Sequence, residues 1–256
     1  MQFDLLCSGS KGNCCLIRHR GHSFLIDCGA PSSKYLEEAL RKVNSSTKEI
    51  EAVLVTHSHR DHMGKLYKFR KLPIYAGCRL SMRDREKQPI RFKKVPVHPD
   101  QPFELFGLKI TPIQLSHDAG PTVGYLLQDE EESLVYVTDT GYFRSRYYGP
   151  LSNATYYIFE SNYNEEMLRN CSRPRVVKNR IRSDRGHLSN EDSASHLISM
   201  IGQETKQVVL AHISGVTNTP ELALKALKKE SRKSGKPLSH VQLEAAGQYS
   251  ITSSIA

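Results

Sequence analysis

The sequence predicts a layered α/β fold, and three observations carry that reading. Short apolar runs rich in β-branched residues alternate with stretches of helical periodicity, turn residues punctuate them, and 38% hydrophobic content in 256 residues can fill one sizeable core. The first strands, Gln2 to Cys7 and Cys14 to Arg18, flank the glycine-bearing turn Ser8 to Asn13, and Ser23 to Ile26 follows the Gly21 turn. A helix over Ser33 to Lys42 precedes the continuous apolar run Ala52 to Val55, which reads as a buried strand and leads into a helix over Met63 to Arg70. Further strands are expected at Leu108 to Leu115, Thr122 to Leu127, Leu134 to Val137 and Tyr156 to Phe159, with the acidic block Asp129 to Glu132 as a solvated turn. Helices follow at Asn164 to Asn170, Pro174 to Ile181 and Asn190 to Ile201, then a strand at Gln207 to Leu210. Thr219 before Pro220 caps a helix over Pro220 to Ser231, and strands at His240 to Leu243 and Gln248 to Ile251 close the chain. With no repeat, low-complexity linker or step in composition, residues 1–256 are expected to form one domain.

Composition excludes several classes. No run approaches the roughly 18 to 20 apolar residues that a membrane span needs, and the opening residues lack the basic-then-apolar layout of a signal peptide. A soluble cytoplasmic protein without a membrane partner is therefore expected. The six cysteines, Cys7, Cys14, Cys15, Cys28, Cys78 and Cys171, form no C-x-x-C pair and read as small buried core residues, not as disulfides or nucleophiles. The formal charge of +9 is unevenly placed. Arg79 to Lys94 holds seven basic residues against two acidic, Arg169 to Arg185 seven against one, and Lys225 to Lys236 six against one. Such segments are either ordinary exposed faces or a surface for a polyanion, whose phosphates Lys and Arg neutralise with release of counterions.

The densest chemistry follows the strand Ala52 to Val55. His57-Ser58-His59-Arg60-Asp61-His62 places three imidazoles and a carboxylate within six residues. Burying these groups together without a metal would cost several kcal/mol of desolvation. One short loop of this kind can offer two ligands to each of two ions, and nitrogen with oxygen donors suits Zn²⁺, Mn²⁺ or Fe. His117, Asp139 and His212 each lie just past the carboxyl end of an apolar run, where open α/β layers place their sites. Taken singly, each could equally be a satisfied histidine or a turn aspartate.

Together these residues resemble the metallo-β-lactamase superfamily, across nearly the whole chain. Ser8-Gly9-Ser10-Lys11-Gly12-Asn13, Leu25-Ile26-Asp27-Cys28-Gly29, Thr138-Asp139-Thr140-Gly141-Tyr142, Glu160-Ser161-Asn162 and Gly186-His187-Leu188-Ser189-Asn190 are similar to its small WalJ/YycJ-type branch of metal-dependent exonucleases. The resemblance implies an αβ/βα four-layer sandwich with two mixed sheets, and the length leaves no room for an inserted β-CASP domain. It implies two divalent ions, Zn or Mn: one held by His57, His59 and His117, one by Asp61, His62 and His212, with Asp139 bridging. Asp61 and Asp139 are then also catalytic, and His187 protonates the leaving oxygen or grips a phosphate. Ser8, Asn13, Ser161, Asn162, Ser189 and Asn190 are candidate substrate contacts, although the Ser8 to Asn13 turn lacks the pattern of a nucleotide-binding loop and Glu160 to Asn162 could instead orient ligands.

Three functions are compatible with these residues. The first is a nuclease that hydrolyses phosphodiester bonds of DNA with a metal-activated water. The second is a phosphodiesterase for cyclic nucleotides, similar to compact phage anti-Pycsar enzymes. The third is a non-catalytic nucleic-acid-binding protein that keeps metals for stability. The basic stretch Arg79 to Lys94 is read as a lid, a homodimer contact or a nucleic-acid clamp.

Overall fold

A computed structural model describes residues 1–84 and 86–255. Two seven-stranded sheets face each other across a shared core. The first takes β1 (Gln2–Cys7), β2 (Cys14–His19), β3 (His22–Ile26), β4 (Ala52–Val55), β5 (Pro73–Ala76), β6 (Lys93–Pro96) and β14 (Thr252–Ser253). The second takes β7 (Phe103–Leu105), β8 (Leu108–Leu115), β9 (Thr122–Gln128), β10 (Ser133–Val137), β11 (Tyr156–Glu160), β12 (Gln207–Ala211) and β13 (Gln242–Ala245). Both are mixed: β1 to β3 and β7 to β10 pair antiparallel with their sequence neighbours, while β3 to β6 and β10 to β13 run parallel.

Phe3, Ile17, Phe24 and Leu54 of the first sheet pack on Tyr125, Tyr136, Ile158 and Val209 of the second. The outer face of the first sheet is covered by α1 (Ser33–Lys42) and the short α2 (Arg60–Met63). The outer face of the second carries α3 (Tyr148–Leu151), α6 (Asn190–Met200) and α7 (Pro220–Ser234), with Leu151, Leu197 and Leu227 buried against Tyr157, Phe159 and Leu210. The result is the expected αβ/βα sandwich. The remaining helices, α4 (Glu165–Asn170) and α5 (Arg175–Arg182), form a small unit over Tyr163, Leu168 and Ile181.

Several elements differ from expectation. The helix over Met63 to Arg70 is broken into α2 and a 3₁₀ turn at Leu66–Phe69. The break falls where Lys65 N turns away to donate to Cys28 O at 2.7 Å, and where a Cβ on Gly64 would lie 2.5 Å from Arg60 O. Gln248 to Ile251 is not a strand. Gln248 instead closes the Ser8 to Asn13 turn, accepting from Lys11 N at 2.9 Å and donating to Gly12 O at 3.1 Å, and pairing begins only at Thr252. The strand placed at His240 to Leu243 sits two residues later, as β13. The strands β5, β6 and β7 carried no sequence signal, because each is three or four residues long and β6 alternates no clean apolar face. All six cysteines are free, and all but Cys171 are buried. No helix among the described residues is long and apolar enough to cross a membrane.

Parallel pairing decides where chemistry can gather. Val137 of β10 lies beside Phe159 of β11, and Glu160 beside Ala211 of β12, so residues 138–139, 160 and 212 emerge at one sheet edge. Ile26 of β3 lies beside Leu54 of β4, which brings Asp27 alongside Thr56 and His57 at the matching edge of the other sheet. Asp27, Asp139 and His212 all adopt left-handed backbone conformations, with φ of 60°, 58° and 52°. Non-glycine residues rarely sit there, and three of them at these two matching edges mark a place where the chain is bent to aim side chains.

Candidate metal centre

The seven side chains expected to ligate metal all meet at this double edge. Ligating atoms of His57, His59 and His117 lie within 4.8 Å of one another, and so do those of Asp61, His62 and His212. Asp139 belongs at the same distance to a group with His57 and His62 and to another with His212, Glu160 and His187, which puts its carboxylate between the two triads. Its oxygens lie 3.0 Å from His62 Nε2 and 3.6 Å from both His117 Nε2 and His212 Nε2.

Each imidazole is gripped from behind. His57 Nδ1 meets Thr56 Oγ1 at 3.0 Å, His62 Nδ1 meets Asp27 Oδ2 at 2.7 Å, His117 Nδ1 donates to Gly186 O at 2.9 Å, and His212 Nδ1 meets Glu160 Oε1 at 3.1 Å. His59 presents Nδ1 to His117 Nε2 at 3.3 Å while Nε2 lies 3.5 Å from Asp118 Oδ1. A proton held on the rear nitrogen leaves a lone pair on the inward one. This is the arrangement by which outer groups fix the tautomer and orientation of ligating histidines.

The inward atoms test whether a cation fits. His57 Nε2, His212 Nε2 and Asp139 Oδ2 are buried without a hydrogen-bond partner. A buried acceptor left unsatisfied costs about 1 to 3 kcal/mol, and here such acceptors converge on each other. Protons or metal ions are what satisfy such a set, and its imidazole and carboxylate donors suit divalent zinc, manganese or iron. Protons act in the metal-free protein: burial would lower the His62 pKa, but Asp139, Asp27 and Asp61 hold it well above the ordinary value. His212 is likewise raised, to about 10, because Asp139, Asp61 and Glu160 outweigh its burial. For His57, burial and the neighbouring His62 push the pKa well down against the opposing pull of Asp139. Burial opposes ionisation of Asp139, yet His212 and His62 hold its carboxyl well below the usual range.

His187 also reaches the centre. Its Nδ1 lies 2.8 Å from Glu160 Oε1 and 3.8 Å from Asp139 Oδ1, and its side chain keeps 16% exposure. Glu160 is fully buried and accepts from Thr140 N at 2.8 Å as well as facing His187 and His212. Asp27 is equally buried and accepts from Thr56 N at 2.8 Å and from the Thr56 hydroxyl at 2.9 Å. Asp27 was assigned no role from sequence, and Glu160 was read only within Glu160 to Asn162, as orienting ligands or contacting substrate. Both stand just past an apolar run, which is the signal that singled out Asp139.

The six candidate substrate contacts are buried, with their polar atoms engaged inside the protein. Ser8 Oγ accepts from His212 N at 2.8 Å, and Asn162 Nδ2 donates to His212 O at 2.8 Å. Asn13 Nδ2 contacts Gly9 O, Asp61 O and His62 Nε2, the last at 2.9 Å. Ser161 and Asn190 bond each other and Asn218, and Ser189 caps α6 by accepting from Asp192 N. The metal loop is also held by its backbone: Asn13 N donates to Asp61 O at 2.7 Å, Cys28 N to His62 O at 2.6 Å, and a Cβ on Gly29 would sit 1.6 Å from Asp61 O.

With this geometry in place, similarity to known proteins decides the family. Residues 22–213 match the model of a beta-lactamase superfamily domain. The chain is 33% identical over 236 residues to the exodeoxyribonuclease WalJ of Streptococcus pneumoniae, covering 87% of this chain and 85% of that protein. The chain belongs to the metallo-β-lactamase superfamily. Within this superfamily it also matches the exodeoxyribonuclease YycJ of Bacillus anthracis, at 33% identity over 87% of this chain and 86% of that one. The metallo-β-lactamase fold protein YhfI from Bacillus subtilis superposes with a TM-score of 0.67 at 18% identity, covering 99% of both chains, which supports the fold.

Proposed function

We propose that this protein, a metal-dependent hydrolase, cuts phosphodiester bonds of DNA from an end, using two divalent ions. Two observations support the two halves of this reading. The converging orphaned atoms of His57, Asp139 and His212 support the metals, and the similarity to WalJ and YycJ over most of the chain supports DNA. His57, His59 and His117 would hold one ion, Asp61, His62 and His212 the other, and Asp139 both. When bound, such ions lower the pKa of water and neutralise charge on the attacked phosphate.

The chain's own residues then have separate tasks. Asp61 keeps 24% side-chain exposure, and His62 and His212 overcome its burial to hold its carboxyl below the usual range. It is thus ionised and able to accept the proton of the attacking water. Glu160 anchors His187 through Nδ1, so that the other ring nitrogen, when the ring carries both protons, can give one to the departing oxygen. Ser8, Asn13 and Asn162 position His212, Asp61 and His62 instead of touching substrate. The exposed cations of α5, which lie directly before His187, supply attraction for a polyanion.

The test is hydrolysis by Mn²⁺- and Zn²⁺-loaded protein of end-labelled single- and double-stranded DNA, RNA and 3′,5′-cyclic nucleotides side by side. Shortening of DNA from one end is expected. Opening of cyclic nucleotides with DNA left intact would overturn the proposal, and so would metal loading without any hydrolysis.

A further inference from the structure

Around the metal residues, three loops and the end of α5 are tied into one rim. Gly141 N donates to Ser116 O at 2.9 Å, and Tyr142 forms an isolated bridge with Ser116. A Cβ on Gly141 would meet Ser183 O at 2.1 Å and Gly186 N at 2.5 Å, so the loops after β10 and α5 touch backbone to backbone. His117 Nδ1 bonds Gly186 O in the same place. Two side chains stand out from this rim. Tyr142 is 51% exposed, although it lies three residues from Asp139. Arg180 is 64% exposed and reaches inward to Asp118, Nη1 to Oδ2, at 3.2 Å. Asp118 in turn lies 3.5 Å from His59 Nε2 and 3.4 Å from His117 Nε2. One carboxylate therefore connects the guanidinium to the metal ligands.

We infer that Arg180 and Tyr142 grip the substrate strand beside the scissile bond, Arg180 taking the neighbouring phosphate and Tyr142 stacking on the adjoining base. This rests on the proposed DNA cleavage. A guanidinium offers two parallel N–H donors that match a phosphate, and it is always charged. Its exposed pairing with Asp118 is weak enough for a phosphate to replace or share it. An open aromatic face binds any base, but only a base whose own face is free. The pair thus selects a single-stranded or frayed terminus over an intact duplex, and it acts on the polymer and not on a small phosphodiester that has no second phosphate and base.

The test compares the metal-loaded parent with Arg180→Ala, Arg180→Lys, Tyr142→Ala and Tyr142→Phe. KM and kcat are measured on a single-stranded oligonucleotide and on bis(4-nitrophenyl) phosphate, and binding of a phosphorothioate oligonucleotide is followed by anisotropy. For Arg180→Ala the expected result is a KM for the oligonucleotide raised about tenfold, the loss of one charged hydrogen bond, with kcat falling less. The preference for oligonucleotide over the small ester falls with it. The slope of log affinity against log salt should shrink by about 0.7, the share of one phosphate on a single strand. Arg180→Lys should restore the slope without restoring full affinity. Tyr142→Ala should weaken binding about tenfold, the loss of one stacked base, and Tyr142→Phe should match the parent. If the parent digests DNA and the Arg180→Ala slope and both alanine KM values equal the parent's, the rim assignment is wrong. If the parent digests no DNA, the proposed function is what fails.

Discussion

Asp27→Asn is the sharpest probe of how the centre is built. Asp27 Oδ1 accepts from Thr56 N at 2.8 Å, and Oδ2 faces His62 Nδ1 at 2.7 Å. Asparagine can keep the first bond through its carbonyl, but its amide then opposes His62 Nδ1 with a donor. The imidazole must either move its proton to Nε2, the nitrogen that faces Asp61 and Asp139, or leave two buried donors in conflict at about 1 to 3 kcal/mol. Losing the partner behind a ligating histidine typically costs 10- to 100-fold in metal affinity, or about 1.4 to 2.7 kcal/mol. The loss should be selective. The Thr56 hydroxyl, which contacts His57 Nδ1 at 3.0 Å, still finds an acceptor in the carbonyl of the new amide, so the His57–His59–His117 group keeps its geometry. Competition titration of metal-stripped protein against a chelating indicator resolves the two binding steps, with circular dichroism confirming the fold. One step should weaken 10- to 100-fold and the other stay put. Two steps that superimpose on the parent's, or that weaken equally, would refute the reasoning.

Glu160→Gln should lower kcat about 10- to 100-fold, because both His187 and His212 lose their anchoring carboxylate; single-turnover DNA cleavage at saturating metal measures it. Gly29→Ala should displace Asp61, whose carbonyl oxygen lies where the new Cβ must go, and cost several kcal/mol of stability in denaturant melts. Stripped and metal-loaded protein should respond to pH in opposite ways. His212 is raised from 6.5 to about 10, so its contribution to the stripped protein is complete below pH 6.5 and is lost as pH climbs through about 10, whereas metal ligation needs the neutral ring. Melting temperatures of the two forms at pH 6 and pH 9 check this. Burial pushes the thiols up, Cys7 to about 12, so Cys7, Cys14, Cys15 and Cys28 should resist alkylation at pH 8 until the fold opens, while the partly exposed Cys171 reacts. Mass spectrometry of iodoacetamide-treated protein reads this directly.

The sequence revealed the metal loop because its chemistry must be dense: His57 to His62 packs four donors where folding alone would place none. His117, Asp139 and His212 were visible by position, each a polar residue ending an apolar run. Asp27 and Glu160 obey the same rule, yet Asp27 was left without a role and Glu160 was read only within Glu160 to Asn162, as orienting ligands or contacting substrate. They differ only in acting one bond further out, through His62 and through His187 and His212, and no spacing in the chain encodes that relation. The small polar residues are a different case. Ser8, Asn13, Ser161 and Asn162 have the chemistry of substrate contacts, yet all are buried: Ser8, Asn13 and Asn162 hold the ligating residues, and Ser161 bonds Asn190. Strands β5 to β7 were illegible because short, proline-bearing or cation-bearing pieces gain their pairing from the neighbouring strand and not from their own composition.

Because each sheet brings part of the ligand set, the registration of one sheet on the other fixes the distances among the seven side chains. That registration has identifiable ties. Tyr125 of β9 is fully buried and its hydroxyl donates to Val55 O, at the end of β4, at 2.8 Å. Val123 N donates to Thr56 O, one residue before His57, at 3.0 Å. These bonds cross from the second sheet to the mouth of the metal loop, inside a core that does not compress easily. The basic stretch from Arg79 to Lys94 is anchored differently. It follows β5, packs Leu80, Met82 and Phe92 against the cluster on the first sheet's outer face, and ends in the edge strand β6, tied back by Lys94 Nζ to Cys78 O at 2.8 Å, with Arg85 outside the described residues. That stretch supplies none of the seven ligating side chains, and the centre's geometry is set by the seam between the sheets.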